Sequence, residues 1–167
     1  CFDMKAASLY HHVSGKSQLY DMMQEHLYSK MKPIKASHQW QSYLSELAYN
    51  TRAGLLKNPN MLALFATRPT LSKQALRRAD TTIGVLVAAG FEPADSLAIF
   101  RNLNVFVLGH VLTEVGRPAE EQRQQNAMLQ EQLQTQEFPW LAQVGRAQSR
   151  SNAGYKRGFD LGVRCML

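Results

Sequence analysis

At 167 residues and 18.9 kDa the chain is long enough to bury a substantial core in one domain, or in one domain with the remnant of a smaller one. Its two cysteines, Cys1 and Cys165, lie near opposite ends without CxxC or Cys/His spacing, which argues against a disulfide framework or a zinc site and fits a reducing, cytoplasmic setting. A formal charge of +6 and a pI near 9.5 suit an anionic partner without naming it.

Apolar positions recur at helical spacing almost throughout, and strand-like alternation and Asn-Gly or Asp-Gly turns are absent, so the expected fold class is all-α. No apolar run is expected to reach the roughly 18 to 20 uncharged residues of a membrane-spanning helix, and no membrane partner is expected. In chain order, KAASLYHHV precedes Ser14, which is placed to cap a helix through KSQLYDMMQEHLYSKM. Leu19, Met22, Met23, Leu27 and Met31 mark one side of that helix, and Pro33 ends it.

A second helix, HQWQSYLSELAYNTRAGLLK, presents Trp40, Tyr43, Leu44, Leu47, Leu55 and Leu56 and stops at Asn58-Pro59. The short NMLALFA ends at Arg68-Pro69. Next, TLSKQALRRADTTIGVLVAAG carries Leu76, Ile83, Leu86 and Val87 and closes at Gly90, a residue suited to a left-handed helix end. From Leu97 to Val115 apolar residues surround the helix: Leu97, Phe100, Leu103, Val107 and Val111 on one side, with Ile99, Phe106 and Leu112 elsewhere. Such a helix requires cover on more than one side.

RPAEEQRQQNAMLQEQLQTQ reads as a solvated helix or a connector, and Phe138, Trp140 and Leu141 are predicted to anchor FPWLAQV to the body. In the last segment Gly154, Gly158 and Gly162 fall four apart beside Tyr155, Phe159, Val163 and Met166. Each glycine costs a helix about 1 kcal/mol relative to alanine, so the spacing predicts a closely approaching second helix. Leu103, Val107 and Val111 together with the residues of this last helix predict a four-helix homodimer interface, two helices from each subunit.

The stretch Ala7-Ser8-Leu9-Tyr10-His11-His12-Val13, followed by Lys16 and Leu19, resembles the end of the DNA-binding domain of TetR-family repressors. The likeness continues in order through Trp40 to Leu56, the turn Thr67-Arg68-Pro69-Thr70, the Gly90-Phe91 helix end, and Leu108-Gly109-His110-Val111-Leu112. It covers nearly all of the chain and is weakest from Arg117 to Arg150. The resemblance implies two parts: residues 1–32, the end of a helix-turn-helix domain, and residues 33–167, an all-α ligand-binding and dimerisation domain. The family's DNA-binding domain has three helices and this sequence opens near the third without an initiating Met. The two earlier helices are therefore expected to lie outside it, and such a fragment is expected to bind operator DNA poorly.

By that resemblance Lys5, Ala6, Ala7, Ser8, Tyr10, His11, His12 and Lys16 are the expected DNA contacts. Small residues let a recognition helix approach base edges, and Tyr10 and His12 match phosphate-contacting positions. His11 stands where the family's tetracycline-binding members carry a bulkier aromatic. Lys16 sits in a first helical turn, whose free N–H groups and positive dipole end favour a phosphate. Adjacent helical residues point about 100° apart, so His11 and His12 are a poor metal pair, and neither a metal nor a cofactor is expected.

The tetracycline-binding members hold their drug through magnesium, with a His before the Thr-Arg-Pro turn and a Glu on the long helix. Here those positions read as Leu64 and Thr113, and Lys32 and Leu47 replace two further polar drug contacts, so a magnesium-tetracycline inducer is not expected. The expected ligand set is apolar, Trp40, Leu47, Met61, Leu64, Phe65, Leu86, Phe100 and Phe106, with Thr67, Arg68, Asp80, Asn104, His110 and Thr113 as polar contacts. A mostly apolar pocket with few polar groups predicts a hydrophobic small-molecule inducer. No GxSxG, HExxH, phosphate loop or di-iron repeat supports an enzyme. The competing reading is an all-α homodimeric adaptor or small-molecule binder without DNA binding.

Overall fold

In a computed structural model of the chain, residues 15–35, 39–67, 72–116, 119–132, 137–147 and 152–167 are described. They form helices joined by short connections, with no strand among them, as the apolar spacing predicts. In order these are α1 (Lys16–Lys30), α2 (Trp40–Lys57), a 3₁₀ turn (Pro59–Met61), α3 (Leu62–Thr67), α4 (Lys73–Ala88), α5 (Pro93–Val115), α6 (Ala119–Gln132), α7 (Pro139–Ala147) and α8 (Asn152–Met166). The expected DNA contacts Lys5, Ala6, Ala7, Ser8, Tyr10, His11 and His12, and the expected ligand contact Arg68, lie outside the described residues. The chain divides into two compact units, Cys1–Leu108 and Gly109–Leu167.

In the first unit α1 packs on α2 and α4, and α2 on α4. The buried stripe of α2, Leu44, Leu47, Ala48, Thr51 and Leu55, follows helical spacing. Gly54 leaves room for Met31: a Cβ there would lie 2.5 Å from the Met31 Cε. Helix α4 starts at Ser72, whose hydroxyl oxygen accepts from the Ala75 N–H at 3.2 Å, satisfying a free amide of the first turn. It ends as the sequence predicts, at Gly90 with φ +98°. There Phe91 N–H reaches the Leu86 carbonyl and Gly90 N–H the Val87 carbonyl, the pair of bonds that closes a helix through a left-handed residue.

Several apolar faces differ from the sequence reading. On α1 the buried residues are Leu27 and the polar Gln24, with Met31 buried at its C-cap, while Met22 and Met23 are exposed. The N-cap of α1 is Gly15, at φ +153°, and it makes no side-chain cap. On α4 Leu76 and Val87 are exposed, and the interior face is Ala75, Thr82, Val85 and Leu86. Phe138, Trp140 and Leu141 do not anchor α7: Trp140 is 79% exposed.

Helix α5 buries Leu103, Val107 and Val111 at four-residue spacing, yet Val105 is 69% exposed and Leu112 lies open beside it. By length and composition alone α5 is apolar enough to cross a membrane, although Arg101 and Glu114 bound its uncharged stretch, as the sequence expectation has it. Arg101 interrupts its apolar surface, and Leu103, Val107 and Val111 form one buried stripe along it. In the second unit Phe159 and Val163 of α8 are buried, and Phe159 meets the His110 ring edge-on at 5.2 Å.

Candidate ligand-binding site

The first unit holds a cleft of about 380 Å³ where the C-terminal end of α1, the strap after it, α2 and α4 meet. The strap follows from local chemistry. Met31 turns to an extended conformation, Pro33 has no N–H to continue a helix, and Asn50 Nδ2 donates to the Lys32 carbonyl. The apolar walls are Tyr28, Met31, Ile34, Tyr43 and Leu47, and the polar side is Gln74, Arg77, Arg78 and Thr81, with Lys32 at the strap.

Arg78 is half-buried and organises this side of the cleft. Its guanidinium donates to Thr51 Oγ1 at 3.2 Å and lies 5.4 Å from the centre of the Tyr28 ring, within cation–π range. Burial pulls its pKa below the ordinary value, against an opposing effect of the Tyr28 and Tyr43 phenols. Tyr43 Oη lies 3.4 Å from Thr82 Oγ1, and that hydroxyl donates to the Arg78 carbonyl at 2.7 Å. Tyr28 also meets Phe65 of α3 edge-on at 5.6 Å, so α1 is tied to both α3 and α4 through one ring. One turn earlier Glu25 accepts the Gln74 N–H at 3.1 Å, fixing α1 to the first turn of α4.

The sequence-predicted ligand set does not gather as one wall. Leu47 lines this cleft, and Met61 lines a second one, about 340 Å³, beside Met22, Met23 and His26. Trp40 stacks edge-on against Phe91 at 5.1 Å, and Phe65 against Tyr28. Leu64 and Leu86 are interior, Phe100 and Phe106 are half-buried, and Asn104 Nδ2 donates to the Phe100 carbonyl. Thr67, Thr113 and Asp80 are exposed, the two threonines bonding carbonyls of their own helices at Ala63 and His110. His110 packs against Tyr155 and Phe159 instead of facing either cleft.

The interface set is redistributed as well. Leu103, Val107, Val111, Phe159 and Val163 are covered within one chain, whereas Val105, Leu112, Leu161 and Met166 are exposed. Gly154 is exposed, Gly162 half-buried, and Tyr155 half-buried against His110. A Cβ on Gly158 would stand 3.4 Å from His110 Nε2, an approach from within the same chain.

Sequence reasoning missed Tyr28 and Arg78, which line the cleft, and Thr51 and Thr82, which contact Arg78 and Tyr43. The signal was present: counting back from Leu86 by helical spacing reaches Thr82 and Arg78, so the face that carries the buried leucine also carries them. Among the described residues no group of three or more His, Cys, Asp or Glu could hold a metal ion.

Known proteins match along nearly the whole chain. It is 28% identical over 163 residues to an HTH-type transcriptional regulator of Saccharopolyspora erythraea, covering 97% of this chain and 69% of that one. It is 27% identical over 164 residues to the class E tetracycline repressor protein of Escherichia coli, covering 96% and 72%. A crystal structure of a possible TetR family transcriptional regulator from Streptomyces coelicolor A3(2) superposes with a TM-score of 0.78 at 26% identity, covering 98% of this chain and 82% of that one. Fold and relatives together define a transcriptional regulator built of helices.

Residues 32–167 match the tetracyclin repressor-like C-terminal domain, and the chain belongs to that family. Its members are transcriptional regulators, not enzymes; they bind DNA and small molecules and are dimers.

Proposed function

We propose that the chain is a repressor released from operator DNA by a hydrophobic small molecule seated in the cleft between α1, α2 and α4. One observation carries this reading: a single helix joins the two ends of the device. Helix α1 begins at Lys16, beside the expected DNA-reading segment, and its far end supplies Tyr28 to the cleft. Lys32 and Leu47, the positions where tetracycline-binding members are expected to hold their drug, line the same cleft.

At about 1.5 Å per residue, the 15 residues of α1 span about 22 Å. An occupant that fits one tilt of α1 better than another shifts the population of tilts by that difference in affinity. Half-sites on DNA must lie about 34 to 36 Å apart, so a small pivot in each subunit ends the match. The cleft residues bind and orient; Glu25 and Tyr28 transmit, because they bond α1 to α4 and α3.

In this reading residues 1–32 are the end of the DNA-binding domain, with Lys5, Ala6, Ala7, Ser8, Tyr10, His11, His12 and Lys16 on DNA, and residues 33–167 sense and dimerise in the cytoplasm. Lys16 suits its role: it is exposed, and α1 starts without a side-chain cap, leaving N–H groups for a phosphate. The dimer is carried by the open faces of α5 and α8, through Val105, Leu112, Leu161 and Met166.

The test is operator retardation by protein that includes the two preceding helices, using DNA from beside its own gene. Lys16→Ala and Tyr10→Ala are expected to weaken the shift, and the organic extract of the purified protein to abolish it. Equal retardation by the parent and both variants would overturn the DNA assignment.

A further inference from the structure

The cleft at Arg78 is chemically one-sided. We infer that the molecule it takes is an acid, an apolar ring system bearing one carboxylate or comparably flat anionic group that pairs with Arg78. This rests on the proposed ligand control and adds the chemical class of the ligand.

Among the described residues Lys32, Arg77 and Arg78 line the cleft, and no Asp or Glu does. Lys32 and Arg77 are exposed at its rim, while Arg78 is half-buried beside the apolar part. A guanidinium carries five N–H donors in a flat fork. Among the described residues its hydrogen-bonding partner is the Thr51 hydroxyl, with the Tyr28 ring face as a second neutral contact; no carboxylate pairs with it.

A cation drawn partly out of water among neutral groups is costly unless an anion completes it. The bond to Thr51 and the ring of Tyr28 hold the guanidinium in place, and a carboxylate is the group its forked donors match best. Ile34 and Leu47 line the same cleft and suit rings. Glu25, the nearest acid on α1 to be tied to α4, is already bonded to the Gln74 amide and does not line the cleft.

The experiment compares 9-anthracenecarboxylate with 9-anthracenemethanol, which share a ring system and differ in charge, by calorimetry on the full chain. The acid is expected to bind roughly tenfold to a hundredfold tighter, the worth of a charge-assisted bond. Arg78→Met should erase that preference, read as the ratio of the two affinities, and Arg78→Lys should keep part of it. Should Arg78→Met fail to fold, Lys32→Ala with Arg77→Ala should lower that ratio several-fold. Equal binding of acid and alcohol, or an acid preference unmoved by every one of these changes, overturns the anion inference alone. Failure of both compounds to bind this cleft removes the ligand reading beneath it.

Discussion

Truncating Phe159 and Leu161, two neighbours on α8, separates the inside of a subunit from its outside. Phe159 is wholly buried and meets His110 edge-on at 5.2 Å, with Val163 buried one turn on. Phe159→Ala removes a ring that interior positions hold at about 3 to 5 kcal/mol, the edge-to-face pair included. For a chain of this size that is a fall in Tm of roughly 6 to 20 °C. Leu161 is 55% exposed, so Leu161→Ala is expected to cost one subunit under about 1 kcal/mol. Its loss should appear in association instead, as a weaker dimer in sedimentation equilibrium. Urea unfolding at two protein concentrations tells these apart, because a dimer term moves with concentration and an interior term does not. A Phe159→Ala protein within 1 kcal/mol of the parent, or one whose deficit vanishes at high concentration, would refute this division of α8.

Ser72→Ala removes the hydroxyl that caps α4 and is expected to lower stability by about 0.5 to 2 kcal/mol, read by urea denaturation. Gly90→Ala places a Cβ on a left-handed residue at φ +98° and should cost about 1 to 2 kcal/mol, seen as an earlier thermal transition. Gly158→Ala is expected to be neutral or to stabilise by up to about 1 kcal/mol, since its Cβ would meet His110 Nε2 at ordinary contact distance and alanine favours the helix. A large loss in Gly158→Ala would restore the tight approach that the glycine spacing suggests.

Helix positions were legible because each has local chemistry: Asn58-Pro59 stops α2, Gly90 closes α4, and the apolar period marks α5. Which side of a helix faces inward was less legible. On α1 the methionines read as core, yet Gln24 is buried and Met22 and Met23 line an open cleft, because packing against α2 and α4 selects the face through Leu27 and Met31. The same competition set Thr82 above Leu76 on α4. The interface reading failed at Phe159 and Val163 for a related reason: strong apolarity shows that a residue is covered, but not whether by its own chain or by a second copy. Arg78 was hidden by its type, since a charged residue is presumed solvated until Tyr28 and Thr51 are seen against it.

The link between cleft and DNA is tested most directly by the distance between the two α1 starts in the dimer. In the longer protein used for operator retardation, with its cysteines replaced by serine and Lys16→Cys carrying a spin label, double electron–electron resonance reads that distance before and after saturation with the molecule extracted from the protein. The expected result is a distribution displaced by several Å on ligand binding and returned by operator DNA. Superimposable distributions, with the molecule shown bound beside Arg78, would contradict the lever.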